Sequence, residues 1–283
     1  MKERLHQSVS TNFKGGVEND IQKCAHDLCT VLVMGCDEYY DVLELNGEFR
    51  EKYYQDCKCA YFCCTQEKRP QSGKYDKIVL NNSSDVWTVR LHNALDQIDT
   101  PYVMLILDDF FFSRKVDEVK ITEYLNVMQK NFVGMLKLIP EDERRYTLVE
   151  TEREFGEMEK DSPFRVNFTV GIWKKDFLYD VTPERCSVWE AERLAIEESR
   201  KYPYKVWTVR EDNIGFVHAI MSGGWTRSAR KFFQKENLEK MKYCRRKNKP
   251  WYIYCKDVIY NLMAMIAPKL MMKIVKMLKI GRK

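Results

Sequence analysis

The sequence lacks any apolar stretch long enough to cross a membrane as a helix. Spanning a bilayer takes roughly 18 apolar residues, and the strongest candidate, 258–267, is shorter and is followed by Pro268. The first residues, MKERLHQSVSTNFKGG, are polar and lack the apolar core of a secretory signal. We therefore expect a cytoplasmic protein with reduced thiols.

The sequence has ten cysteines but lacks the C-x-x-C pairs that are typical of structural zinc sites. The densest group comprises Cys57, Cys59, Cys63 and Cys64, and a zinc site is one hypothesis for it. Cysteine also packs as a small apolar residue, and the neighbours of this group are aromatic. We favour a buried strand here.

Neither an internal repeat nor a low-complexity linker divides the chain, but the charge does. The net charge is +5, and residues 241–283 hold 12 Lys and Arg against one acid, Asp257, so that this segment carries +11 and residues 1–240 carry −6. The split predicts a globular domain at 1–240 and a tail at 241–283 with its own partner. An acidic body argues against a uniformly basic nucleic-acid-binding protein, so we expect no nucleic-acid partner.

Apolar runs alternate with helical patterns along the first half of the chain. Strands are predicted at 30–34, around Tyr61, and at 77–80, 102–107 and 133–138. Helices are predicted at 39–55, from Trp87 through Leu91 and Leu95 to Ile98, and at 116–130. This alternation predicts an α/β fold with a mainly parallel sheet flanked by helices.

The second half gives a less regular pattern. Residues 140–162 are strongly acidic and predict a solvated excursion from the domain. A further α/β pattern follows at 164–233. The run 102–107 in the first half is apolar throughout, which predicts a central parallel strand covered on both faces.

Two adjacent carboxylates, Asp108 and Asp109, come directly after that strand. Ligands of open α/β sheets bind beyond the carboxyl ends of strands. Adjacent carboxylates repel each other unless a cation or hydrogen bonds offset their charge, and Mg²⁺ or Mn²⁺ prefers such oxygen ligands. A metal site that also holds nucleotide phosphates is one hypothesis, and an ordinary turn or helix cap is the other.

Asp37 follows the first predicted strand in the same way. Parallel strands place their carboxyl ends at one edge of the sheet, where a carboxylate can accept hydrogen bonds from a base or ribose. A turn residue is the alternative for Asp37.

The segment 102–117, YVMLILDDFFFSRKVD, resembles the metal-binding region of GT-A-fold glycosyltransferases. It is similar, more narrowly, to bacterial enzymes encoded with capsule, O-antigen and exopolysaccharide synthesis genes. Further segments agree in order: VLVMGCDEYYD at 31–41, the helix with Trp87, Leu91 and Ala94, the aromatic segment 168–178, and W-x-x-E at 189–192. The pair is Asp-Asp without the spaced D-x-D form, and 168–172 lacks the Ser or Gln expected in acceptor regions.

The resemblance implies a glycosyltransferase that uses Mn²⁺ or Mg²⁺ and a nucleotide-sugar donor. Asp109 is then the direct metal ligand, Asp108 contacts the metal or the donor ribose, and Asp37 contacts the nucleotide. Another metal-dependent nucleotide enzyme, such as a nucleotidyltransferase, is the alternative.

The W-x-x-E motif implies the acceptor side of the site. Glu192 is the preferred catalytic base, Glu190 is the second candidate, and Trp189 forms a stacking wall for a sugar. The alternative for this segment is a charged helix face, because Glu197 and Glu198 follow.

Two late residues complete the implied site. His218 is a further metal ligand in this interpretation, and Arg227, after Gly223-Gly224, pairs with the diphosphate. The alternatives are a core histidine and an ordinary loop.

The tail carries lysines at helical spacing in KLMMKIVKMLKI, 269–280, with aromatic residues at 251–254 upstream. Basic residues with such aromatics fit an anionic membrane surface approached from the cytoplasmic side. We therefore expect a peripheral protein at the inner face of the cell membrane, where a lipid-linked saccharide acceptor is found. A helix packed on the domain, or a membrane-binding module without enzymatic activity, is the alternative.

Overall fold

The computed structural model of the chain describes residues 25–71, 74–82, 86–221 and 223–238. The proposed boundary at 240 and the basic tail lie outside these residues. Within the described ranges, no helix has the length and apolarity needed to cross a membrane.

The described residues form thirteen strands and seven α-helices. The strands are β1 Cys29–Met34, β2 Ala60–Thr65, β3 Lys77–Leu80, β4 Tyr102–Leu107, β5 Phe110–Phe112, β6 Val133–Lys137, β7 Tyr146–Leu148, β8 Phe155–Met158, β9 Val170–Lys174, β10 Lys205–Val209, β11 Phe216–His218, β12 Ile220–Met221 and β13 Gly224–Trp225. The helices are α1 Ala25–Leu28, α2 Tyr40–Tyr53, α3 Trp87–Leu95, α4 Glu118–Lys130, α5 Lys175–Val181, α6 Val188–Glu198 and α7 Arg227–Lys235.

Nine of these strands form one sheet, in the order β3-β2-β1-β4-β9-β6-β10-β8-β7. Strands β1 to β4 pair in parallel, and β6 pairs in parallel with β10. Strand β9 is antiparallel to both of its neighbours, and β8 is antiparallel to β10 and β7. Seven of the nine strands in this part of the chain thus run in one direction, which confirms the predicted α/β fold with a mainly parallel sheet.

Side chains that alternate along the central strands build a core on each face of the sheet. Met104 and Ile106 of β4 pack on one face with Leu43 of α2 and Ile121 of α4. Val103 and Leu105 pack on the other face with the helices α3, α5 and α6. Strand β4 is therefore covered on both sides, as its continuous apolar run predicts.

A smaller aromatic core lies beside the carboxyl end of β4. Strand β5 pairs with β11, and Phe111 of β5 packs against Phe49 of α2 and Phe233 of α7. Trp225 is fully buried in the same cluster. This packing attaches the segment that contains β11 and α7 to the end of β4.

The structure corrects the prediction of a solvated excursion at 140–162. Strands β7 and β8 lie inside this range and extend the sheet beyond β10. Phe155 and Met158 are buried, and Glu157 accepts a hydrogen bond from Trp207 Nε1 at 3.1 Å. Of the acidic residues in this range only Glu157 lies in a strand, and the others lie in the turns and loops around β7 and β8.

Two other predictions have clear outcomes. Cys59, Cys63 and Cys64 are buried in and next to β2, as predicted for a strand core. Strand β4 pairs in parallel with β1, as predicted, but antiparallel with its other neighbour, β9.

Candidate functional site

The carboxyl ends of β1, β4, β6 and β10 meet at one edge of the sheet, because these strands run in the same direction. We call this the carboxyl edge. It contains the turns after β1 and β4, the end of β6, and the start of the antiparallel strand β9. Binding sites of open α/β sheets occur at such edges.

Asp108 is the first residue of the carboxyl edge after β4. Its N–H donates to the carbonyl of Met34 at 3.2 Å, so the turn is fixed against the end of β1. A Cβ placed on Gly35 would lie 3.5 Å from Asp108 Oδ2, which shows that the carboxylate faces this glycine. Burial raises the pKa of the Cys36 thiol, and the charge of Asp108 raises it further.

Asp109 contacts His218 from a distant part of the chain. The distance from His218 Nε2 to Asp109 Oδ2 is 3.2 Å, and the Asp109 side chain is only 16% exposed. The His218 ring stacks on Phe110 with a centroid separation of 4.4 Å, since β5 and β11 pair His218 with Phe110. The N–H of Ala219 donates to the Asp109 carbonyl at 2.7 Å.

Thr226 connects this pair to α7. Its hydroxyl donates to the His218 carbonyl at 2.7 Å and accepts from the N–H of Ala229 at 3.1 Å, which caps the helix. Arg227, the first residue of α7, is exposed next to this cap. The structure thus places Arg227 and His218 in one connected segment.

Asp37 holds the loop that follows β2. Its carboxylate accepts hydrogen bonds from the N–H groups of Glu67 at 3.2 Å and Lys68 at 3.1 Å. Its own N–H donates to Gln66 Oε1 at 2.7 Å. These contacts agree with the turn residue that the sequence left open as an alternative, at the carboxyl edge where Asp37 was expected.

Glu192 also belongs to the carboxyl edge. Its Oε2 atom accepts from the N–H of Phe168 at 3.2 Å, and the next carbonyl, of Thr169, accepts from the N–H of Leu107 at 3.3 Å. The backbone of Phe168 and Thr169 therefore links Glu192 to Leu107, the last residue of β4, which directly precedes Asp108.

Glu190 and Trp189 lie in the first turn of α6 and are exposed, Trp189 by 75%. Ser187 caps this helix and accepts from the N–H of Glu190 at 3.4 Å. Of the two predicted bases, Glu192 is the one whose carboxylate contacts the backbone beside β4.

A buried ion pair next to Glu192 was missed from the sequence. Lys137, at the end of β6, is 1% exposed, and its ammonium donates to Glu141 Oε1 at 2.6 Å and to the Phe164 carbonyl at 2.5 Å. Burial lowers the pKa of Lys137, which the charges of Glu141 and, to a smaller extent, Glu192 oppose. The signal in the sequence was a lysine inside the otherwise apolar run VGMLKL.

Two buried polar side chains donate hydrogen bonds to backbone carbonyls at the carboxyl edge. Asn46 of α2 is buried and donates to the Phe110 carbonyl at 2.9 Å. Arg90 of α3 is buried and donates to the Gly35 carbonyl. Both satisfy backbone carbonyls that the strands leave behind at their ends, and no pattern in the sequence marked them.

The donor atoms around Asp109 are of the kind that Mn²⁺ takes, namely carboxylate oxygen and imidazole nitrogen. Among the described residues, no group of three His, Cys, Asp or Glu side chains is arranged to hold a metal ion. Asp109 and His218 supply two donor atoms of this kind, 3.2 Å apart.

No protein-family model matches the sequence, and no curated protein is similar to it. A mannosyltransferase, PcManGT, from Pyrobaculum calidifontis in complex with GDP-Man and Mn²⁺ has a TM-score of 0.45 at 12% identity, covering 70% of this chain and 58% of that one. S. aureus TarS has a TM-score of 0.46 at 12% identity, covering 75% and 39%. This chain thus spans less than two thirds of either protein.

A UDP-glucose pyrophosphorylase complexed with UDP-glucose has a TM-score of 0.42 at 9% identity, covering 66% of this chain and 94% of that one. A mannosyltransferase and a pyrophosphorylase are thus among the similar structures.

Proposed function

We propose that this chain is a glycosyltransferase that binds a nucleotide-sugar donor at the carboxyl edge. The observation that carries the proposal is the contact between Asp109 and His218 directly after β4, at 3.2 Å. An acidic pair and an imidazole converge where α/β sheets bind ligands. The resemblance of 102–117 to GT-A enzymes supports the same assignment.

Asp109 and His218 would hold Mn²⁺ or Mg²⁺, with Asp108 beside them and the diphosphate of the donor completing the ligand set. Such an ion supplies Lewis-acid neutralisation of the charge that develops on the leaving diphosphate. A metal bound by both side chains takes the place of their direct contact. Arg227, exposed at the start of α7, supplies a second positive charge for the diphosphate.

Asp37 lies at the end of β1 in the position proposed for contact with the nucleotide. Its carboxylate orders the backbone of Glu67 and Lys68. We propose that this ordered loop, together with Asp37, forms the wall that receives the base or ribose.

Glu192 is the proposed base of an inverting transfer. The N–H of Phe168 orients its carboxylate. The carboxylate then accepts the proton of the acceptor hydroxyl as that oxygen bonds to the anomeric carbon, and the bond from this carbon to the diphosphate breaks to release the nucleoside diphosphate. Trp189, exposed three residues earlier on α6, provides an aromatic face for the acceptor sugar. Glu190 is the second candidate for the base.

The proposed acceptor is a saccharide on a lipid carrier, in the synthesis of bacterial surface polysaccharide. The support is the charge split, since the −6 domain is followed by a +11 segment with lysines at helical spacing. Such a segment binds anionic lipid on the cytoplasmic side of a membrane.

Titration calorimetry of the full chain with UDP, GDP, CDP and dTDP, each with and without Mn²⁺, tests the donor site. We expect one nucleotide to bind only with the metal, and Asp109→Asn to abolish that binding. Asp56→Asn is the matched control, because Asp56 forms an exposed ion pair with Lys115. Equal binding by wild type and Asp109→Asn would contradict the metal assignment.

The product of the reaction separates the two enzyme classes. Incubation with the matching nucleotide-sugar should release a nucleoside diphosphate. Release of pyrophosphate from a nucleoside triphosphate and a sugar phosphate would instead identify a nucleotidyltransferase.

A further inference from the structure

A cleft of about 510 Å³ lies beside the outer strands β7 and β8. Its walls are residues 147–149 at the end of β7, the end of β8 with residues 159–160, and the segment 202–205 that leads into β10. Glu159 follows the last residue of β8, which is antiparallel to β10, and Lys205 is the first residue of β10. The cleft therefore opens at the starting end of β10, whereas Asp108 and Asp109 lie at the opposite edge of the sheet.

The cleft presents two tyrosines in the sequence Tyr202-Pro203-Tyr204. The ring of Tyr204 makes tilted contacts with Phe132 and Phe177, with centroid separations of 4.8 and 5.1 Å. Tyr202 meets Phe177 edge to face at 5.7 Å. Both rings are thus held in place before any ligand arrives, which lowers the entropy cost of binding.

Phe132 extends this aromatic surface and has an unusual backbone conformation. It follows the end of α4 with φ of 60°, a position where glycine or asparagine is the usual residue. Its side chain is 55% exposed.

The charged groups of the cleft are mixed in sign. Lys160, Arg165 and Lys205 line it together with Glu157 and Glu159. Arg165 is only 4% exposed, and its guanidinium donates to the carbonyls of Met158 at 3.2 Å and Tyr204 at 2.9 Å. The guanidinium thereby joins the two walls and makes the shape of the cleft rigid.

From this combination we infer that the cleft is a binding site for a neutral saccharide chain. Rigid aromatic faces suit the C–H faces of sugar rings, and alternating donors and acceptors suit their hydroxyl groups. With three cations and two carboxylates in the lining, neither sign of charge dominates, and the charged lining disfavours a purely apolar ligand. The inference rests on the proposed function for the class of ligand, and it adds a second site at which a growing saccharide is held.

The cleft is separate from the proposed site of glycosyl transfer, so we expect it to favour longer acceptor saccharides over shorter ones. A saccharide short enough to reach only the carboxyl edge gains nothing from it. A longer chain contacts both edges of the sheet, and its second contact raises the effective concentration of its end at the first.

Methyl-labelled methionine in the full chain tests the inference by NMR, because Met158 lines the cleft. The probes are neutral linear hexasaccharides of glucose, mannose and galactose at about 10 mM, enough to detect a dissociation constant near 1 mM. We expect at least one to shift the Met158 signal saturably, and inorganic phosphate to leave it unchanged. Tyr202→Ala should weaken this binding about tenfold.

Glu159→Lys is the second variant, since Glu159 is exposed and its replacement does not disturb the core. Glu51→Lys on α2 is its matched control and should bind as the wild type does. The inference fails if no hexasaccharide shifts Met158, or if both cleft variants keep wild-type affinity.

Asp109→Asn separates this site from the proposed function. It should lose metal-dependent nucleotide binding and keep the saccharide shift of Met158. A chain that binds saccharide but no nucleotide would overturn the proposed donor site and leave the cleft assignment intact.

Discussion

The Nε2 atom of His218 lies 3.2 Å from the Oδ2 atom of Asp109, although the two residues come from distant parts of the chain. The contact depends on β5 and β11, each only three residues long, which set His218 opposite Phe110. The two-stranded pairing of β5 with β11 thus brings the imidazole nitrogen of His218 to Asp109. Neither β4 nor the turn after it contains a histidine.

His218→Ala should weaken Mn²⁺-dependent nucleotide binding about tenfold or more and reduce the preference for Mn²⁺ over Mg²⁺. Imidazole favours Mn²⁺, whereas a purely oxygen site suits Mg²⁺ equally well. Calorimetry with each metal gives the ratio of the two affinities. His92→Ala, which removes a histidine stacked on Tyr179, is the control, and an unchanged ratio in His218→Ala would argue against ligation.

Glu192→Gln should lower kcat by roughly 10² to 10⁴ while the KM for the donor stays near its wild-type value, as expected for loss of a general base. The amide oxygen still accepts from the N–H of Phe168, so the fold is preserved. Initial-rate measurements at varied donor concentration separate the two constants. Glu190→Gln should behave as the wild type, and a larger loss in that variant would exchange the two roles.

Lys137→Met should destabilise the protein by about 3 kcal/mol, because it leaves Glu141 buried without its closer cation. Arg145 remains 3.0 Å from Glu141 and limits the loss. Urea unfolding measures the free energy, and the double variant with Glu141→Gln should recover part of it. The exposed Lys130→Met should change stability by less than about 0.5 kcal/mol, and an equally small effect at Lys137 would contradict the buried ion pair.

Glu118→Gln should become more stable relative to the wild type as the pH rises. Burial raises the pKa of Glu118 above its usual 4.5, although Tyr54 donates to its carboxylate at 2.5 Å. The native state therefore favours the protonated form, and this stabilisation is present below pH 4.5 and is lost as the pH rises through the raised pKa. Unfolding of both proteins from about pH 4 to 7 measures the difference, with the exposed Glu123→Gln as control; a difference that does not vary with pH would contradict the assignment.

Removal of residues 241–283 should abolish binding to vesicles that contain phosphatidylserine. Each Lys or Arg near such a surface contributes about 1 kcal/mol, and salt weakens the attraction. Sedimentation of the full chain and the shortened chain with vesicles, at low and high salt, measures the effect. Binding that persists after truncation or is insensitive to salt would assign membrane contact to another surface.

The longer elements could be predicted from the sequence because their patterns are local. The apolar run at 102–107 and the helical face of Trp87, Leu91 and Leu95 correspond to β4 and α3. Strand direction has no such signal, since residues 170–174 look alike in a parallel or an antiparallel pair. Strands β7 and β8 were missed because both are short and are surrounded by acidic loop residues, and the burial of Phe155 depends on pairing with β10.

In the candidate site, too, local features could be predicted from the sequence and long-range contacts could not. Asp108, Asp109 and Asp37 were expected at the ends of strands and are there, since a turn after a buried strand is recognisable locally. The partnership of His218 with Asp109, and of Lys137 with Glu141, depends on contacts formed in the folded chain.

Strand β9 has a consequence for the order of assembly. It inserts between β4 and β6, both of which precede it in the chain. Until residues 170–174 are synthesised, β4 and β6 each keep an open edge with unpaired backbone groups, which is a template for wrong pairing. A nascent chain that ends before β9 should therefore depend on chaperones, and the sheet is complete only when β10, which is synthesised later, has entered between β6 and β8.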